Sequence, residues 1–192
     1  MPSIIGHSAA LRFLSTVREK GTVAHAYLFA GPAGVGKTRV ASDFLTELVG
    51  LKSADDAEDP WKALRTWPDF SLIEREEDEK TGKRKKNIAV EQIRGLRERL
   101  SMGSFLESWK IGVIAEAETM SSEAANSLLK TLEEPSGQTV LVLLTTSLGA
   151  VPATVRSRCQ PVRFHLVPER EIRDGLVARG IGESEAEQYA AI

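Results

Sequence analysis

The chain has 192 residues, with 25 Lys+Arg against 27 Asp+Glu for a formal net charge of −2, and it is 42% hydrophobic and 27% charged. This is the composition of a soluble globular protein of one or two domains, and it excludes a disordered or fibrous chain; no apolar run approaches the roughly 18 residues of a membrane span. The near-neutral balance excludes capture of nucleic acid by bulk charge, and the first 20 residues lack the apolar region of an export signal, so a cytoplasmic protein is expected.

Short apolar runs alternate with segments of helical period, the pattern of α/β units around a mostly parallel sheet. Ala9, Leu11, Leu14 and Val17 predict a first helix over 8–20, ended at Gly21. Residues 26–30 read as a buried strand, followed by a Gly-rich turn and then by Val40, Phe44, Leu45 and Leu48 at helical spacing. Residues 70–73 predict a second strand, Ile93, Leu96 and Leu100 one face of a helix, and 111–114 a third strand. The next helix carries Ala124, Ala125, Leu128, Leu129 and Leu132, with Ser121 or Ser122 to cap it and Pro135 to stop it. Residues 140–144 form the most apolar run and predict a central strand covered on both faces. Val162 to Leu166 alternates as a last strand would, and Pro168 opens a helical tail rich in Glu and Arg.

Between Glu74 and Lys86 eleven of thirteen residues are charged, acids before bases, around Thr81-Gly82. We read a solvated hairpin or loop; the alternative is a phosphate-contacting patch made by Lys83, Arg84, Lys85 and Lys86. The single cysteine, Cys159, allows no intramolecular disulfide, and with three dispersed histidines no Cys-rich zinc site is expected. His7, His25 and His165 read as packed or surface residues, and Cys159 as a small buried one.

The strongest signal is Gly31-Pro32-Ala33-Gly34-Val35-Gly36-Lys37-Thr38, a full phosphate-binding-loop pattern with a strand before it and a helix after it. Gly31, Gly34 and Gly36 let the backbone curl so that N–H groups and a helix N-terminus face phosphate; Lys37 reaches the outer phosphates and Thr38 offers a hydroxyl to magnesium. ATP or GTP binding is the default expectation. Hydrolysis needs more, usually an Asp at the end of a second buried strand to hold the metal and a neighbouring acid to position water. The strand at 110–114 should end in Asp-Glu, and it ends in Ala115-Glu116. A methyl group cannot hold magnesium, so Thr38 is left as the metal anchor and Glu116 as the water-activating acid. Glu118, two residues on, is the acid that could compensate through a water.

Residues 126–135 (Asn-Ser-Leu-Leu-Lys-Thr-Leu-Glu-Glu-Pro) resemble the helix after the acidic strand in bacterial clamp-loader ATPase subunits, and Ser157-Arg158-Cys159 is similar to that family's arginine-finger motif. His25 to Phe29, Trp67-Pro68-Asp69 and Ile88 to Arg94 also resemble segments of the delta-prime type of DNA polymerase III subunit, so the likeness extends over nearly the whole chain. The resemblance implies an AAA+ P-loop NTPase fold: a RecA-like parallel sheet flanked by helices over 1–166, with an insert at about 50–88, and the beginning of a helical lid over 167–192. It implies ATP and magnesium as ligands of Gly31, Gly34, Gly36, Lys37 and Thr38. It implies Thr146 as the sensor of the outermost phosphate, and Arg158 as a finger offered to the ATP of an adjacent subunit.

The implied partners are gamma/tau and delta subunits, and, through the assembled complex, a sliding clamp and primed DNA, with no membrane. Lacking a collar domain, the chain is expected to be monomeric alone. Related subunits often carry a four-cysteine zinc module after the P-loop helix; here no zinc is expected, and Trp61, Leu64 and Trp67 are the packing that would replace it. Ala115 favours a delta-prime type subunit that binds ATP weakly or structurally over a gamma/tau-like motor using Lys37, Thr38, Glu116 and Thr146. A P-loop kinase would need a substrate-phosphate site and an arginine-rich lid, which no segment supplies. Any polymerase or nucleotidyltransferase label would belong to the holoenzyme, since no residue set here suggests polymerisation chemistry.

Overall fold

The computed structural model describes residues 4–52, 58–78 and 80–191. The sheet is organised around β4 (Thr139–Thr145), whose seven residues are all buried because helices cover both faces. Its neighbours are β1 (Ala26–Ala30) and β3 (Lys110–Ile114); β2 (Phe70–Ile73) lies outside β3 and β5 (Gln160–Arg163) outside β1. All four pairings are parallel, in the order β2-β3-β4-β1-β5. Ala30 stands opposite Thr145 and Ile114 opposite Leu143, so the segments that leave β1, β3 and β4 emerge together at one end of the sheet.

The alternation of a strand sends successive side chains to opposite faces. Tyr27 and Phe29 of β1 join Val140 and Val142 against α1 (Ser8–Glu19) and α2 (Lys37–Leu48), which contribute Leu14, Phe44 and Leu45. Leu28, Leu141 and Leu143 face the other way, onto Leu96 of α3 (Val90–Ser101) and Leu128 of α4 (Ser122–Glu133). Burying each such side chain contributes about 1.5–3 kcal/mol, and the two layers fix the sheet between them. Ser121 caps α4: its Oγ accepts from the Ala124 N–H at 3.1 Å. Gln92 serves α3, accepting from Ala89 N–H at 3.0 Å and donating to the Glu74 carbonyl at 2.8 Å.

The last strand differs from the sequence expectation. It occupies Gln160–Arg163 rather than Val162 to Leu166; Phe164 N–H still reaches the Ala30 carbonyl at 2.8 Å, after which His165 and Leu166 turn out to solvent. Pro161 is tolerated because β5 is an edge strand paired only with β1. Before it comes the short α5 (Ala153–Arg156), and after it α6 (Glu169–Val177) and α7 (Glu183–Ala190), which pack on each other. The N-terminal segment runs along α6 closely enough that a Cβ on Gly175 would lie 2.7 Å from Ile5 Cγ1.

Beyond α2, Trp61 and Leu64 are buried, and Trp67 donates from its indole nitrogen to the Trp109 carbonyl at 2.9 Å, so packing supports this part of the insert. The rest of the insert at 53–57 lies outside the described residues. Among the described residues no three or more His, Cys, Asp and Glu gather as they would around a metal ion, and no helix is long and apolar enough to cross a membrane. The charged stretch is a hairpin: Glu77 bridges Arg84 in antiparallel fashion and Lys85 N–H donates to the Glu76 carbonyl at 2.7 Å. Asp78 Oδ1 ties its tip by accepting from Lys80 N–H, Thr81 N–H and the Thr81 hydroxyl; Glu79 lies outside the described residues.

Candidate nucleotide site

The glycine loop leaves β1 where the ends of β1 and β4 are adjacent, with Gly31 N–H donating to the Thr145 carbonyl at 3.2 Å. Gly31 sits so near β5 that a Cβ there would lie 2.4 Å from the Phe164 carbonyl oxygen, which is why this position takes no side chain. Gly36 has φ +100°, accessible without strain only to glycine, and it forms the N-cap of α2 with no capping side chain. The first-turn N–H groups of a helix have no intrahelical partners, so an N-terminus capped this way is open to an anion.

Lys37 Nζ donates to the carbonyls of Gly31 at 2.7 Å and Pro32 at 2.6 Å, and the residue is 9% exposed. Burial lowers its pKa, and the nearby Glu118 charge opposes that shift. Thr38 follows it, half-buried in the first turn of α2. His7, which no sequence signal tied to the loop, donates from Nε2 to the Val35 carbonyl at 2.7 Å and meets the Phe164 ring edge-on at 5.0 Å. Its backbone is left-handed at φ 58°, which turns the chain from the N-terminal segment into α1.

At the end of β3, Ala115 offers only its methyl group, its N–H being spent on the Ile73 carbonyl at 2.9 Å. Glu116 adopts φ 54°, ψ 49°, a left-handed conformation that costs a non-glycine residue about 1–3 kcal/mol. Both its carboxylate oxygens are occupied by Arg75, which donates from Nε and Nη2 at 2.8 Å each, while Arg84 of the hairpin stands 3.9 Å away. The charged hairpin thus reaches the site through these two arginines. No sequence signal points to Arg75 here, and the alternative reading of the stretch has Arg84 contacting phosphate, not an acid of this site.

A 3-10 turn over Ala117–Thr119 then carries Glu118 across to the end of β4. Its Oε1 accepts from the Thr146 hydroxyl at 2.6 Å and from Thr146 N–H at 3.1 Å. Burial works to raise the Glu118 carboxyl, but hydrogen bonding, from Thr146 first, outweighs it and leaves the group below the usual range. Glu118 Oε2 is buried and has no hydrogen-bond partner.

Arg158 lies at the opposite end of the strands, two residues before β5 begins. Its Nη2 pairs with Glu133 at 2.7 Å and its Nη1 donates to the Thr154 carbonyl at 2.9 Å. Cys159 beside it is buried, and burial pushes its thiol up to about 12. The structure therefore gathers Gly31, Gly34, Gly36, Lys37, Thr38, Glu118 and Thr146 at one end, holds Glu116 to the hairpin, and sets Arg158 apart.

Residues 6–168 match the family model described as DNA polymerase III, delta subunit. The chain belongs to this family of clamp-loader AAA+ subunits. It is 39% identical over 142 residues to DNA polymerase III subunit delta' of Pseudomonas aeruginosa, an alignment covering 71% of this chain and 42% of that protein. It is 30% identical over 171 residues to DNA polymerase III subunit tau of Bacillus subtilis, covering 88% and 30%. The delta' subunit of the same organism is 30% identical over 179 residues, covering 89% and 51%. The chain thus spans about half, or less, of these relatives. Among solved structures it is similar to a gamma-subunit-related protein of Thermotoga maritima, with TM-score 0.60, 23% identity, and coverage of 92% and 56%. The RuvB branch-migration motor of the same organism matches with TM-score 0.58 at 15% identity, covering 97% of this chain and 56% of that one. These likenesses show the AAA+ RecA-like fold.

Proposed function

We propose that this chain is the N-terminal portion of a delta-prime type subunit in a bacterial clamp loader. In this reading it binds ATP weakly or structurally and lends Arg158 to the nucleotide held by an adjacent gamma/tau subunit. Residues 1–166 form the nucleotide-binding domain and 167–192 the start of the lid, and the assembled complex, with a delta subunit, acts on a sliding clamp and primed DNA.

The observation that carries this reading is Ala115 at the end of β3, where a hydrolysing P-loop protein presents its metal-binding carboxylate. The glycine loop itself fits a nucleotide: an uncapped helix N-terminus, a lysine poised over it and the Thr38 hydroxyl in the first helical turn. Bound magnesium would supply charge neutralisation at the outer phosphates, with Thr38 as its hydroxyl ligand. Lys37 would exchange the loop carbonyls for phosphate oxygens. Arg158 is at the wrong end of the strands for this chain's own loop, which supports its use in trans. Arginine fingers are worth about 10³–10⁵ in rate because a fixed guanidinium stabilises charge on the transferring phosphoryl group.

The test is single-turnover hydrolysis at the neighbouring site of a clamp loader reconstituted with the full-length subunit. Arg158→Ala is expected to reduce the neighbour's rate by about 10³ or more, whereas Lys37→Ala, which removes only this chain's own nucleotide contact, leaves chemistry at the neighbour intact. The reverse pattern would support a gamma/tau-like motor instead.

A further inference from the structure

Three carboxylate positions surround the strand end where a P-loop protein meets its metal, and two of them are closed. Position 115 is alanine, and Glu116 has both oxygens in a two-point contact with Arg75. Glu118 differs from both. One of its oxygens is fixed by the hydroxyl and N–H of Thr146, and the other, Oε2, is buried without a partner. An ionised carboxylate is an acceptor only, so a buried oxygen left unmet asks for a donor or a cation. The same carboxylate acts electrostatically on Lys37 of the glycine loop, as it does on Arg75. Topology explains the placement: the 3-10 turn leads off β3 toward β4, and β4 lies beside β1, whose continuation is the loop.

We propose that Glu118 is the carboxylate that receives the divalent cation of a bound nucleotide, in place of the Asp missing at position 115, and that Thr146 is its positioning residue. The assignment rests on the reading of the loop as a nucleotide site. It moves the metal-facing acid from the strand end into the turn, where a donor on β4 orients one oxygen and leaves the other free. Glu116 serves as the anchor of the charged hairpin through Arg75.

The experiment is calorimetric titration of the full-length protein with ATP, once with magnesium and once with magnesium removed by chelation, in the wild type, Glu118→Gln and Glu123→Gln. Glu123 is an exposed acid in the first turn of α4, and its substitution removes the same charge nearby. Magnesium is expected to tighten ATP binding in the wild type and in Glu123→Gln. In Glu118→Gln that tightening falls by about 10- to 100-fold while metal-free binding persists, since the amide oxygen can still accept from Thr146. Ala115→Asp added to Glu118→Gln is expected to restore the magnesium effect, which a loss through misfolding would not allow. Equal magnesium dependence in wild type and Glu118→Gln, or ATP binding by the wild type that ignores magnesium, would overturn the assignment alone. No ATP binding by the wild type under either condition would overturn the nucleotide-site reading and the assignment with it.

Discussion

Arg158 is held within its own chain by Glu133, and in the proposed role that contact would set how much of its energy a neighbour could draw on. The two side chains are 36% and 50% exposed and meet at 2.7 Å. Exposed ion pairs are worth about 0.2–1 kcal/mol, which is roughly 1.4- to 5-fold in an equilibrium. Removing Glu133 leaves the bond from Nη1 to the Thr154 carbonyl in place, so the guanidinium stays on its turn. Glu133→Gln is therefore expected to raise single-turnover hydrolysis at the adjacent subunit by no more than about fivefold at low salt. The gain should fade as salt approaches about 1 M, where screening reaches down to about 3 Å. The double variant Glu133→Gln with Arg158→Ala should behave as Arg158→Ala alone, the signature of two residues acting through one contact. A rise above tenfold, a rise that salt leaves unchanged, or a rise that survives loss of Arg158 would refute this reasoning.

Gly31→Ala would drive a methyl group to 2.4 Å from the Phe164 carbonyl and 2.8 Å from its Cβ, forcing the loop and β5 apart. We expect a loss of about 1–3 kcal/mol in urea unfolding, and an unchanged midpoint would show that β5 yields freely. Cys159 has its thiol pushed up to about 12 by burial, against an ordinary value of 9.0. The folded state therefore keeps the proton that the unfolded chain gives up near 9.0; the resulting stability is full below that pH and is lost as pH rises through about 12. Alkylation at pH 8 should leave the native thiol unmodified and label it stoichiometrically once the chain is unfolded. Rapid labelling of the native protein would contradict this.

What could be read from the residues alone was whatever depends on near neighbours in sequence. The glycine loop, the capping serine before α4 and the apolar run of β4 are each decided within a dozen residues, and the structure has all three. The partners of the acids after β3 were not legible. Arg75 meets Glu116 across 41 residues and Thr146 meets Glu118 across 28, and both contacts exist only because the sheet order brings those strand ends together. His7 looked isolated for the same reason: the Val35 carbonyl it touches is 28 residues away. Misplacing β5 had a local cause. The alternation from Val162 to Leu166 continues past the point where the edge strand loses its neighbour, and a period-two pattern does not record where pairing stops.

The separation of the glycine loop from Arg158 along the strand direction also bears on symmetry. A two-fold axis makes every contact reciprocal, so a symmetric pair that set Arg158 of one copy against the loop of the other would set the second arginine against the first loop as well, and would close on itself. Subunits laid head to tail also bring an arginine at one end to a phosphate cradle at the other, and they leave one of each unused. Such contacts are heterologous: each subunit has a donor side and an acceptor side, and a row of them has a direction. On the proposed reading, a subunit that keeps its arginine and lacks the metal-binding Asp suits one place in that row, the position where its donor side faces a motor and its acceptor side need not be served. The polarity of the whole assembly would then be written in a single chain, by which of its two ends kept its chemistry.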